Sequence, residues 1–192
     1  MKWLPLFSLL ASAASACAFN TVVIDAGHGG HDRGGISGQR ASEKDLALDV
    51  ARRLRDILNT DGLKTVMTRV DDTFIPLPQR AAIANAQHDA LFVSIHFNSA
   101  VRSGADGFET YYYNPRAAGV AARVQAGLMR VEPVENRGVK RRAYYVLRKT
   151  RIPAVLAECG FLTNRSEAAL CLQPAHRQEL AIALATAIEA SR

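Results

Sequence analysis

Residues 21–30 read TVVIDAGHGG, an apolar β-branched run closed by an acid and then by glycines on either side of a histidine. Thr21, Val22, Val23 and Ile24 favour extended backbone, and so short an apolar run ended by glycine reads as a buried strand. That strand delivers His28 to a loop. Gly27, Gly29 and Gly30 let the backbone turn sharply and leave the imidazole uncrowded, as a metal ligand or an exposed catalytic base requires. A tight strand-to-helix turn with an incidental histidine accounts for the same letters. A dinucleotide fingerprint does not, because G-x-G-x-x-G from Gly27 needs a glycine at 32 and finds Asp32.

The rest of the chain alternates strands and helices around that opening. After a polar, glycine-rich loop, Ser42 is a good helix N-cap, and Asp45 three residues on imitates the carboxylate of a capping box. Leu46, Val50, Leu54, Ile57 and Leu58 then recur at helical spacing as a buried stripe, while Arg52, Arg53 and Asp56 face outward until Asp61-Gly62 stops the helix. Residues 64–68 predict a second strand, and Pro78 opens a helix with its body at 80–86, where Arg80 reads as a surface residue or as a tie to the site edge. Residues 90–95, ALFVSI, are apolar enough for a central parallel strand and end in His96-Phe97-Asn98. A strand at 107–113, a helix reaching about Val131, a polar basic connector at 133–142 and short strands at 144–147 and 153–158 follow. A last helix takes Leu180, Ile182, Leu184 and Ile188 as its apolar positions. The alternation predicts a single α/β domain, an open, mixed, mostly parallel sheet with helices on both faces.

The first eighteen residues differ in kind: Lys2, an apolar run through Leu9 and Leu10, then small residues in SAASACA. That order is the one of a secretory signal, too short for a stable membrane span, with A-x-A patterns that place cleavage after Ala16 or Ala18. Acylation of Cys17 as a lipid anchor is the alternative. Residues 19–192 then form the mature domain, exported and expected in the periplasm. With 24 basic and 18 acidic residues the chain carries +6, which suits an anionic surface or polymer. Export and the lack of an aromatic-basic motif argue against a nucleic-acid partner. Cys159 and Cys171 are close enough in sequence to pair in an oxidising compartment, and equally suited to remain buried thiols.

In an open α/β sheet the working groups gather beyond the carboxyl ends of the strands. His28, His96 and Glu158 all sit at that address, and Glu43, in the first turn of the helix after strand one, opens from the same edge. Two histidines and a carboxylate are the ligand set of a catalytic zinc site that keeps a position open for water. A second carboxylate nearby serves proton transfer. Taken singly, His28 is a loop residue, His96 a core histidine and Glu43 a complement to the helix dipole. Glu158 resists such a reading, since a carboxylate after Val155-Leu156-Ala157 is costly to bury without a partner.

DAGHGG, the SEKDLAL helix start, SIHFNS and AECGFLTN, in this order and spacing, resemble the zinc-dependent N-acetylmuramoyl-L-alanine amidases of the type 3 catalytic family, over residues 22 to about 188. The resemblance implies that His28, Glu43 and His96 hold one zinc ion and that Glu158 is the catalytic carboxylate. It implies a substrate as well, the peptidoglycan amide between N-acetylmuramic acid and L-alanine of the stem peptide. Cys159 and Phe97 depart from the residues usual at their positions, and strand alternation turns Cys159 away from the face that presents Glu158. Asn98, Arg141 and Arg148 are expected substrate contacts, with Arg137, Lys140 and Arg142 in the same basic connector. The interval between residues 113 and 144 holds one helix and a connector, with no room for an added blocking helix, so no activator is expected to be required. A wall-binding protein without catalysis, or a zinc peptidase acting on another exported amide, remain the alternatives.

Overall fold

The computed structural model describes residues 19–192 apart from 38 and 103; the signal segment and Cys17 lie outside the described residues. Six strands form one sheet: β1 (Thr21–Ala26), β2 (Lys64–Met67), β3 (Ala90–Asn98), β4 (Phe108–Tyr112), β5 (Asn136–Arg141) and β6 (Ala154–Phe161). Their order is β2-β1-β3-β6-β4-β5, with every neighbouring pair parallel except β4 against β6. β1 and β3 lie side by side in the interior of the sheet, and their apolar runs are long because both faces are covered.

The two faces are covered unequally. On one, α1 (Glu43–Thr60), α3 (Ala118–Leu128) and α6 (Pro174–Glu189) pack over the larger apolar cluster, which includes Val22, Ile24, Val93, Ile95, Val155 and Ala157. On the other, the short helices α2 (Leu77–Asn85) and α4 (Tyr145–Lys149) close a smaller cluster around Val23, Phe92, Tyr111 and Leu156. The short helix α5 (Arg165–Cys171) follows β6. Among the described residues no helix is long and apolar enough to cross a membrane.

Several expectations need correction. Residues 144–147 are not a strand: Tyr144 is the N-cap of α4, and Val146 and Leu147, adjacent in sequence, are both buried, which a half-covered strand with alternating faces would not allow. The β propensity of Tyr and Val there yields to packing of the helical turn against α2. The polar connector contains the edge strand β5, which carries charge because an edge strand is exposed and charge protects it from further pairing. Ile182 faces outward, 49% exposed, while Leu180, Leu184 and Ile188 form the buried stripe. Ser42 caps α1 by position only, with no side-chain hydrogen bond, and its Oγ is buried without a partner. The cysteines are free buried thiols; Cys159 lies in the larger cluster, on the opposite face from Glu158 as strand alternation requires.

Candidate metal centre and catalytic cleft

β1 ends at Ala26, and the two residues after it explain the glycine-rich motif. A Cβ on Gly27 would stand 2.4 Å from the His96 ring, so this glycine makes room for the imidazole of β3 rather than for His28. His28 itself adopts a left-handed backbone, φ 61°, a conformation that costs a non-glycine residue about 1–3 kcal/mol. Two arginines hold it there. Arg80 Nη2 donates to His28 O at 2.5 Å, its Nη1 to Ala26 O at 2.6 Å and to Asp25 Oδ1 at 2.9 Å. Arg69 Nη2 donates to Gly27 O at 2.8 Å and its Nε to Ala26 O at 3.0 Å. Arg80 is thus 2% exposed and no surface residue. Asp25, buried beside it, also accepts from Thr68 Oγ1 and Ser94 Oγ, and these hydrogen bonds and the Arg80 charge outweigh burial to keep its carboxyl below the usual range.

The three expected ligands meet at one carboxylate oxygen. Glu43, first residue of α1 and 3% exposed, turns Oε1 to His28 Nε2 at 3.0 Å and to His96 Nδ1 at 2.9 Å, and accepts Phe97 N at 3.1 Å. The two imidazoles stand edge to face with centroids 4.9 Å apart. One ligand atom from each of the three residues lies within 4.8 Å of the others. On the far side of His28, Nδ1 pairs with Asp32 Oδ2 at 2.9 Å, the outer carboxylate that commonly fixes the tautomer of a metal-bound histidine. A Cβ on Gly34 would fall 2.4 Å from Glu43 Oε2 and 2.7 Å from His28 Cδ2, so that glycine also yields its space to the ligands.

The electrostatics favour a cation at this point. Burial opposes ionisation of Glu43, yet its bonds to both imidazoles outweigh it and hold the carboxyl at about 2. Burial likewise disfavours a charged His96, and the Glu43 hydrogen bond and charge reverse this and lift it to about 9. His28 is raised for the same reason and against the same opposition. The donor set of two imidazoles and one carboxylate that stays ionised fits a divalent metal ion such as zinc.

Glu158 lies across the parallel pair from His96, register partner to register partner. It is half-buried, and its Oε2 is a buried oxygen with no hydrogen-bond partner. Burial pushes its carboxyl up to about 7; nearby His96 and His28 work against the shift, Glu43 and Glu109 with it. The group is therefore poised to take up and return a proton near neutrality.

These groups share a cleft of about 380 Å³, with His28, Glu43, His96 and Glu158 inside and Asn98, Leu77, Ile36 and Tyr144 along its walls. Asn98 is there, tied by Nδ2 to Glu109 Oε1 at 2.5 Å. Arg141 and Arg148 do not line it; Arg141 donates to Tyr113 O and lies over the Tyr113 ring. A larger apolar hollow of about 600 Å³ between α3 and α6 contains none of this chemistry. Sequence reasoning missed Asp25, Asp32 and Arg69, whereas of its two readings of Arg80 the tie to the site edge holds and the surface residue does not. Asp25 carried the same signal that singled out Glu158, an acid in a buried strand, whereas nothing in the LPQRAAIAN helix marks Arg80 as buried.

Residues 22–190 match the family model N-acetylmuramoyl-L-alanine amidase. The chain is 40% identical over 183 residues to the uncharacterized protein YqiI of Bacillus subtilis, covering 93% of this chain and 88% of YqiI. It is 37% identical over 168 residues to the N-acetylmuramoyl-L-alanine amidase LytC of Bacillus subtilis, covering 85% of this chain but 34% of LytC, which extends well beyond the matched segment. Its fold is similar to the catalytic domain of CwlV, an N-acetylmuramoyl-L-alanine amidase from Bacillus (Paenibacillus) polymyxa var. colistinus, with a TM-score of 0.84 and 34% identity over 90% of this chain and 97% of that one. With a family match across nearly the whole described chain and a histidine–glutamate–histidine group at the carboxyl edge of its sheet, this chain belongs to the N-acetylmuramoyl-L-alanine amidase family.

Proposed function

We propose that this chain is exported by its first eighteen residues, holds one zinc ion through His28, Glu43 and His96, and hydrolyses the peptidoglycan amide between N-acetylmuramic acid and L-alanine in wall remodelling or daughter-cell separation. The observation that carries it is the unpartnered Glu158 Oε2 beside the three-residue group in one cleft. Zinc bound there supplies a Lewis acid for the amide carbonyl and lowers the pKa of a water molecule to about 7. Glu158 accepts the proton of the attacking water and returns it to the leaving amine nitrogen, so no covalent intermediate with the chain is needed. Asp32 keeps the proton of His28 on Nδ1 and leaves Nε2 free to ligate. Arg80 and Arg69 keep the loop carbonyls satisfied so that His28 stays aimed inward.

The placing of α3 supports access to the cleft without an activator. Helix α3, the one helix between β4 and β5 that could have been an obstruction, packs against α6 on the other face. Asn98 is the supported substrate contact, whereas Arg141 and Arg148 are suited to a more distant part of the polymer.

Digestion of purified sacculi separates the readings. Metal-loaded wild type is expected to release unmodified stem peptides, and chelated protein and Glu158→Gln are expected to release none. Sacculi that stay intact while the protein pellets with them would assign a wall-binding role instead.

A further inference from the structure

Beside the cleft, behind its Asn98 and Tyr144 walls, β5 carries a cation that the catalytic step does not use. Lys140, opposite Tyr111 in the β4–β5 pairing, donates from Nζ to Glu109 Oε2, and its Nζ stands 5.9 Å from the centroid of the Tyr111 ring. Both of those neighbours touch cleft walls: Glu109 accepts from Asn98, and Tyr111 packs edge to face on Tyr144 with centroids 5.0 Å apart. Glu109 is also the register partner of Glu158 across the antiparallel pair, so its side chain rises on the same face of the sheet. Asn98, Glu109, Lys140, Tyr111 and Tyr144 therefore form one connected group that reaches the cleft at Asn98 and Tyr144.

Two cations share one buried carboxylate there. The single buried carboxylate of Glu109 has Lys140 on one oxygen and Arg137 Nε 3.7 Å from the same oxygen, and that Nε makes no hydrogen bond. The Arg137 guanidinium lies over the Phe161 ring at 4.9 Å, and its other partner, Glu135, is half exposed to solvent. Lys140 keeps a third of its side chain exposed, and one of its three ammonium hydrogens satisfies Glu109. An ammonium held in place by a buried carboxylate and a ring, with donors left over, is preorganised for a second anion.

From the structure we infer that Lys140 is a specificity-determining residue that receives a carboxylate on the peptide side of the substrate, a subsite that rests on the amidase reading above. Distance favours a nearby residue of that peptide. β6 and β5 are two strand spacings apart, roughly 10 Å, and the lysine leans back toward Glu109. Two peptide residues span about 7 Å, which brings the residue after L-alanine within reach.

The test uses metal-loaded protein and two soluble muramoyl dipeptides that differ only in a free carboxylate or a carboxamide on the second residue. Wild type is expected to favour the carboxylate through KM, by roughly tenfold, the size of one charge-assisted hydrogen bond. Lys140→Arg should keep the preference. Lys140→Met leaves Glu109 buried without its ion pair and is at risk of misfolding, so the deciding variant is Lys140→Met with Glu109→Gln, which removes both charges together. In that variant the ratio between the two substrates should fall to about one, on the expectation that the lysine supplies the discrimination. No preference in the wild type, or an undiminished preference in the double variant, overturns the inference while leaving the amidase reading intact. Failure of wild type to cleave either compound while it digests sacculi overturns this inference alone, and failure on sacculi as well overturns the amidase reading with it.

Discussion

The two faces of the sheet come from the same strands and do opposite work. Along β6, Val155, Ala157 and Cys159 point into the larger cluster, while Ala154, Leu156 and Glu158 point to the other side. Along β3, Leu91, Val93, Ile95 and Phe97 join the larger cluster, leaving Phe92, Ser94 and His96 opposite. A period of two residues thus sorts the chain into a stabilising face and a reactive one. The reactive face can hold charge because its two cover helices are short and their first residues, Leu77 and Tyr145, wall the cleft and leave it open between them. Asp25, deeper on that face, is paired with Arg80, whereas Glu158 Oε2 at the cleft has no hydrogen-bond partner.

The largest effects should separate the faces cleanly. Glu158→Gln is expected to lower turnover of sacculi by roughly 10²–10⁴-fold, the usual contribution of a general acid–base group, without loss of thermal stability. Leu54→Ala, fully buried on the other face, should cost about 2–5 kcal/mol in denaturant unfolding while the folded fraction keeps its turnover. If the leucine variant lost turnover per folded molecule, or the glutamine variant lost stability, the division of labour between faces would not hold.

Arg80→Met tests how far the reactive face depends on its own buried pairing. It strands Asp25 as a buried charge, and breaking such a pair costs about 3–5 kcal/mol. It also frees the carbonyl of His28 from the donor that holds its left-handed backbone, so zinc affinity measured by competition with a chelator should weaken as well. Unchanged affinity in a protein that is merely less stable would reduce Arg80 to a packing role.

A smaller effect follows from pH in the metal-free protein. The Glu158 carboxyl sits at about 7 when folded against an ordinary value of 4.5, so the folded state binds the proton more tightly than the unfolded state does. The group therefore costs nothing below the unfolded value, and its penalty grows as pH rises from 4.5 to 7 and levels off above. Melting midpoints of wild type and Glu158→Gln should coincide at low pH and part by a few degrees above neutrality, with the variant higher. Parallel curves would mean that the carboxylate is solvated in the cleft.

Much of this division is legible in the sequence because alternation and burial are local properties. The strands other than β5, the long helices and the placing of His28, His96 and Glu158 follow from apolar runs, glycine stops and an acid in a costly place. What escapes is set by partners distant in sequence. β5 is too polar to be read as a strand until β4 lies beside it, and the YYVL segment becomes helical through contact with α2. Gly27 explains itself only when the His96 ring, nearly seventy positions on, is seen against it. The Asp25–Arg80 pair spans 55 positions, and a lone arginine in a short helix carries no sign of where its charge goes.

The smallest effect sits at the start of α1, where a helix of the stabilising face delivers a ligand to the reactive edge. Ser42 and Glu43 are neighbours there, yet the hydroxyl expected to cap the helix makes no bond, and the carboxylate expected to complement the dipole is taken by two imidazoles. An N-cap serine that bonds the helix loses about 1 kcal/mol on replacement by alanine. Here the lost bond does not exist and a buried unpaired oxygen is removed, so Ser42→Ala should change stability by less than about 0.5 kcal/mol, with either sign allowed by the balance of packing and desolvation. Zinc affinity should stay at the wild-type value, because Glu43 is held from its far end by His28, His96 and the Phe97 amide rather than from the helix start. A loss near 1 kcal/mol in chemical denaturation would show that Ser42 does cap the helix in solution, and that the orientation of Glu43 is set from the stabilising face as well as from the reactive one.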